Sequence, residues 1–148
     1  MDRDMAEPVQ ILLVEDDPGD VLLTRETLRE AKVNNEMHVV SDGEEAMRFL
    51  RREGGHADAP RPHVVLLDLN LPRKGGREVL AEVKQDPQLK IIPVVVLTTS
   101  RAEEDILRSY QDHANAYIAK PIDLDEFLEV VHAVENFWLT IVQLPRAR

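Results

Sequence analysis

The chain has 148 residues, enough for one domain with its own core, and 43 % of them are hydrophobic, which excludes a disordered chain. Its formal charge of −10 argues against direct binding to nucleic acid or to an anionic membrane. There is no cysteine, hence no disulfide, thiolate metal site or cysteine nucleophile; no apolar run reaches the ~18 residues of a membrane span, and the opening MDRDMAEPVQ is unlike a signal peptide. Together these fit a cytoplasmic protein.

Along the chain, apolar runs alternate with stretches of helical period. VQILLV (9–14) is a short strand that ends in Glu15-Asp16-Asp17. A helix follows from Pro18 to Lys32, with Asp17 suited to cap it and Pro18 suited to its first turn. MHVV (37–40) is a second strand, closed by Ser41-Asp42-Gly43 at a turn that reads as structural. EEAMRFLRRE (44–53) is an amphipathic helix, and GGHADAPRP (54–62) is a loop by its glycines and prolines. VVLL (64–67) is the central strand, tipped by Asp68, with Asn70 just beyond. Val79, Leu80 and Val83 form the apolar face of the next helix. PVVVLT (93–98) is a fourth strand, Ile106, Leu107 and Tyr110 mark a fourth helix, AYIA (116–119) is a fifth strand, and a last helix starts near 123.

Short strands joined by helices imply parallel pairing with right-handed crossovers. Continuous apolar runs fit strands covered on both faces. The expected fold is a doubly wound three-layer α/β domain, whose chemistry lies beyond the carboxyl ends of its strands. Those ends carry Glu15, Asp16 and Asp17; Asp68 and Asn70; Thr98, Thr99 and Ser100; and Lys120-Pro121. Each is ordinary alone. Asp17 and Ser100 are better read first as helix caps, Asp68 alone as a turn residue, and Lys120 alone as a surface lysine.

Their joint placement is what carries weight. Carboxylates brought together repel unless a cation joins them, and Mg²⁺ suits carboxylates that retain some waters. With Lys120 and the hydroxyl of Thr98 nearby, such a site is equipped to receive a phosphoryl group. Asp68, on the central strand, is the best-placed acceptor. The five histidines have no metal-ligand spacing and are read as incidental.

ILLVEDD, VVLLDLNLPRKGG, VVVLTTS and AYIAKPI resemble the receiver domain of two-component response regulators. That resemblance implies a flavodoxin-like five-stranded parallel sheet of order 2-1-3-4-5 with five helices. It also implies a division into an N-terminal tail (1–8), a receiver domain (9–136) and a C-terminal extension (137–148). It makes Asp68 the phosphoacceptor, with Mg²⁺ held by Glu15, Asp16, Asp68 and the backbone carbonyl of Asn70. Thr98 becomes the switch hydroxyl, Tyr117 the switch aromatic that turns inward, and Lys120 the phosphate-binding lysine, followed by a cis bond to Pro121.

Within the family the chain resembles single-domain regulators paired with bacterial and cyanobacterial phytochromes. The implied partner is a sensor histidine kinase, a bacteriophytochrome among the candidates. The protein would assist its own phosphorylation and dephosphorylation without being an enzyme in the turnover sense. Only about a dozen residues follow the receiver, too few to fold alone, so the signal is expected to pass by protein contact. Phe137, Trp138, Leu139, Ile141, Val142 and Leu144 exceed what one last helix can bury, which points to a homodimer through that helix and the extension. Two alternatives stand beside this: a degenerate receiver serving only as an interaction module, and a Mg²⁺-dependent phosphatase with an aspartate nucleophile. The phosphatase would want a second aspartate two residues after the first, where this chain has Asn70.

Overall fold

The computed structural model describes residues 8–30, 34–98, 116–123 and 125–129. Five strands form one parallel sheet: β1 (Val9–Val14), β2 (Asn35–Val40), β3 (Val64–Asp68), β4 (Val94–Thr98) and β5 (Ala116–Ala119), in the order β2-β1-β3-β4-β5. Among the described residues, three helices lie between them: α1 (Pro18–Glu30), α2 (Gly43–Arg51) and α3 (Gly76–Gln85). Residues 125–129 are also helical, where the last helix was expected. The expected fourth helix, with Ile106, Leu107 and Tyr110, lies outside the described residues, as do Thr99, Ser100 and Phe137 to Leu144.

The sheet is covered on both faces, as its uninterrupted apolar strands require. Val65 and Leu67 pack with Phe49 of α2 and Val79 and Val83 of α3. Val64 and Leu66 point the other way, toward Leu28 of α1 and Phe127. Successive strand residues alternate between faces. By that alternation Glu15 continues the series of Ile11 and Leu13, and Asp68 that of Val64 and Leu66, so both carboxylates fall on the α1 side. Thr98 continues the series of Val94 and Val96 on the opposite side, where Tyr117 also packs.

Local signals set the helix starts. Asp17 Oδ1 accepts from the backbone N–H of Gly19 at 2.8 Å and of Asp20 at 3.3 Å, so Asp17 caps α1. Asp42 Oδ1 accepts from Glu45 N–H at 2.8 Å and so caps α2, while Glu45 Oε1 accepts from Ser41 N–H, one residue before the cap, at 3.1 Å. The turn after β2 is structural, as expected. Strand β2 starts two residues earlier than the apolar run suggested, and Gly54–His56 form one 3₁₀ turn within the expected loop. Among the described residues, His63 Nδ1 accepts from Gln10 N–H at 2.8 Å, His38 Nε2 lies 2.7 Å from Gln10 Oε1, and the His56 ring packs against Phe49.

The β3–α3 loop is held from both sides. Arg73, at φ 64°, donates to Asp42 Oδ2 at 2.7 Å, and Lys74 pairs with Glu82. At its other end Gly76 lies against β3: a Cβ there would sit 2.5 Å from the Asp68 carbonyl oxygen and 2.7 Å from Leu69 Cα. Backbone cannot yield as a side chain does, so Gly76→Ala is expected to cost roughly 2–4 kcal/mol in a denaturant melt. Its neighbour is the control. A Cβ on Gly75 meets nothing within 4 Å, so Gly75→Ala should fall within about 1 kcal/mol of wild type. Equal costs at the two positions would contradict the contact.

Candidate functional site

The site is built at the carboxyl ends of β1, β3 and β5. Glu15 follows β1 and is 2 % exposed; Asp68 ends β3 and is 3 % exposed. Asp16 is exposed beside them. One oxygen from each of these three carboxylates lies within 4.8 Å of the others. Asp68 Oδ1 accepts from Asn70 N–H at 3.1 Å, which folds the start of the β3–α3 loop back over the strand end. Glu15 Oε2 accepts from Asp17 N–H at 3.2 Å.

Lys120 comes from beyond β5 and reaches into this group with its side chain only 14 % exposed. Its Nζ lies 2.8 Å from Asp20 Oδ2, 3.2 Å from Glu15 Oε1 and 3.5 Å from Asp68 Oδ2. Its backbone N–H donates to the Thr98 carbonyl at 2.7 Å, tying β5's end to β4's. The Lys120–Pro121 bond is cis, as the resemblance implied.

Electrostatics follow from this crowding. Burial, then the hydrogen bond and charge of Asp68, push Glu15 up to about 7, against the opposing pull of Asp17 N–H and Lys120. Burial works against the charge of Lys120, but Asp20, Asp68 and Glu15 outweigh it and hold the ammonium above the usual lysine range. Glu15 and Asp68, both buried, thus share the Lys120 ammonium with Asp20. Three carboxylates with oxygens within 4.8 Å of one another, two of them buried, are the all-oxygen donor set a hard divalent cation suits.

Of the residues read from the sequence, Glu15, Asp16, Asp68 and Lys120 converge, with Asn70 bonded to Asp68 through its N–H. Thr98 is fully buried at the end of β4. Tyr117 is 7 % exposed and packs in the core cluster on the α2–α3 side of the sheet. The sequence reading missed Asp20. Its spacing was a usable signal: third in a helix that starts at Pro18, it lies four residues after Asp16, one helical turn from the strand end.

A doubly wound parallel domain with an acidic group, a buried aspartate and a buried lysine at its strand ends has the arrangement of the divalent-metal-assisted aspartyl phosphoacceptors. The chain belongs to the response regulator receiver domain family, whose model matches residues 11–132, and it is a phosphoacceptor response regulator of two-component signalling. It is 49 % identical over 140 residues to the response regulator Rcp1 of Synechocystis sp., covering 95 % of each chain. Among solved structures it is similar to the phosphorylated cyanobacterial phytochrome response regulator RcpA, at 52 % identity and TM-score 0.72, covering 90 % of this chain and 95 % of that one. It is also similar to the Mn²⁺-bound form of Rcp1, at 48 % identity and TM-score 0.71, covering 90 % and 96 %.

Proposed function

We propose that Asp68 is the phosphoacceptor and that the phosphoryl donor is a histidine of a phytochrome-type sensor kinase. The observation that carries this is the buried Asp68 carboxylate, with Oδ1 oriented by Asn70 N–H and Oδ2 facing Lys120. In the transfer, an Asp68 oxygen attacks phosphorus, a P–O bond forms, the P–N bond to the donor imidazole breaks, and that nitrogen takes up a proton. Lys120 moves its charge onto the phosphoryl oxygens. Glu15, Asp16, Asp68 and the Asn70 carbonyl would hold Mg²⁺, which when bound offsets the carboxylate repulsion and draws phosphoryl oxygens to the site. Thr98 and Tyr117, on the opposite face of the sheet, are the groups through which the new charge would alter the β4–β5 side. The phytochrome part is supported by the likeness to RcpA, which carries that description.

Acetyl phosphate with Mg²⁺, read by intact mass, tests the acceptor. Wild type is expected to gain one phosphoryl group that persists for minutes, and Asp68→Asn none. Phosphorylation of Asp68→Asn to the same extent would remove Asp68 from the role. Continuous phosphoester turnover would favour the phosphatase, and an inert wild type the degenerate module.

The receiver (9–136) would signal as a homodimer through its last helix and the 137–148 extension. Support comes from the sequence, where Phe137, Trp138, Leu139, Ile141, Val142 and Leu144 form an apolar surplus. Phe137→Ala combined with Trp138→Ala should convert a dimer to a monomer in light scattering, with Asp68 phosphorylation preserved. A wild type that is monomeric with and without a phosphoryl mimic contradicts it.

A further inference from the structure

We propose that Asp20 is a positioning residue for Lys120, holding the ammonium in the resting protein and competing for it with an incoming phosphoryl group. Asp20 is the nearest of the three carboxylates around Lys120, at 2.8 Å against 3.2 Å for Glu15 and 3.5 Å for Asp68. It differs from the other two in kind. Glu15 and Asp68 belong to the three-carboxylate group suited to a divalent cation; Asp20 does not. A cation entering that group takes up negative charge that Lys120 otherwise faces, and leaves Asp20 as the partner whose charge is still uncommitted.

Asp20 is also held in place. It sits in the first turn of α1, with its N–H on Asp17 Oδ1 at 3.3 Å. Lys120, by contrast, has a flexible four-carbon stem and a compact charge that can be redirected without moving its backbone. Once Asp68 carries a phosphoryl group, the ammonium can face either that group or Asp20. The strength of the Asp20 contact therefore sets how much of the lysine's charge the phosphoryl group receives. This rests on the reading that Lys120 binds the phosphoryl group.

The test uses beryllofluoride, a tetrahedral phosphoryl mimic, titrated calorimetrically at saturating Mg²⁺. The mimic exchanges one bound water for an Asp68 oxygen: a Be–O bond to water breaks, one to Asp68 forms, and nothing is oxidised or reduced. Four proteins are compared: wild type, Asp20→Asn, Lys120→Ala and the double variant. Asp20→Asn should bind the mimic about three- to tenfold more tightly than wild type, the worth of a partly exposed ion pair. Lys120→Ala should bind it more weakly. In the Lys120→Ala background, Asp20→Asn should change affinity by less than about twofold, because a positioning residue acts only through the residue it positions.

An Asp20→Asn protein that binds no more tightly than wild type, beside a weakened Lys120→Ala, overturns the proposal alone. An equal gain in both backgrounds also overturns it, since the effect would then be the field of a removed charge. A Lys120→Ala protein that binds as tightly as wild type overturns the reading of Lys120 beneath it. Asp20→Ser, which keeps a polar group in the first helical turn, repeats the comparison with a helix-compatible side chain.

Discussion

Asp16→Ala is expected to lose Mg²⁺-dependent phosphoryl acceptance from acetyl phosphate by more than about 100-fold, since even an outer partner of a metal ligand is worth ~10–100-fold in metal affinity. The fold should survive. Asp16 is exposed, and its oxygen lies within 4.8 Å of oxygens of Glu15 and Asp68, so removing it deletes repulsion and no packing. Metal-free stability should stay within about 1 kcal/mol of wild type, on the stable side. The two measurements together separate a ligand from a structural residue. Unchanged phosphoryl acceptance would remove Asp16 from the metal site, and a large loss of stability would assign it a structural role instead.

The second large effect is a pH dependence written into Glu15. Its pKa is raised from 4.5 to about 7 in the folded protein, so between those values the folded state binds a proton that the unfolded state has released. Stability tied to that proton is complete below the unfolded value and is lost as pH rises through about 7. Metal-free protein in EDTA should therefore gain about 1.3 kcal/mol from Glu15 on going from pH 8 to pH 6, or roughly 3–5 °C in Tm. The informative quantity is the difference between wild type and Glu15→Gln, which cancels any pH dependence the two proteins share. Glu15→Gln should be more stable than wild type at pH 8, by up to about 3 kcal/mol, and the two should converge toward pH 5.

Mg²⁺ must displace the same proton. Its affinity for wild type should fall about tenfold per pH unit below 7, and measurably less for Glu15→Gln, whose affinity starts lower. A wild type and variant with parallel stability profiles would mean that Glu15 ionises normally and that its burial is relieved in solution.

The order of elements, the parallel sheet and the positions of the strand ends were determined by the sequence alone. Uninterrupted apolar strands such as VVLL and VVVL, separated by helix-length stretches, admit little else, and acids or lysine after such strands can only lie at one rim of the sheet. That is why Glu15, Asp16, Asp68 and Lys120 are legible in the sequence as one group.

What the tertiary structure decided is how these groups divide the work. A sheet covered on both faces erases the alternation of polar and apolar residues that would show which way each side chain points. Nothing in VEDD therefore says that Glu15 is buried beside Asp68 while Asp16 faces outward. Asp20 enters through the helix that follows β1, and meets a lysine 100 residues away only because α1 packs over the strand ends. The Asp42–Arg73 pair spans 31 residues and depends on a positive φ at Arg73 that no residue preference announces. Contacts of this range are set by packing, and local patterns in the chain carry no record of them.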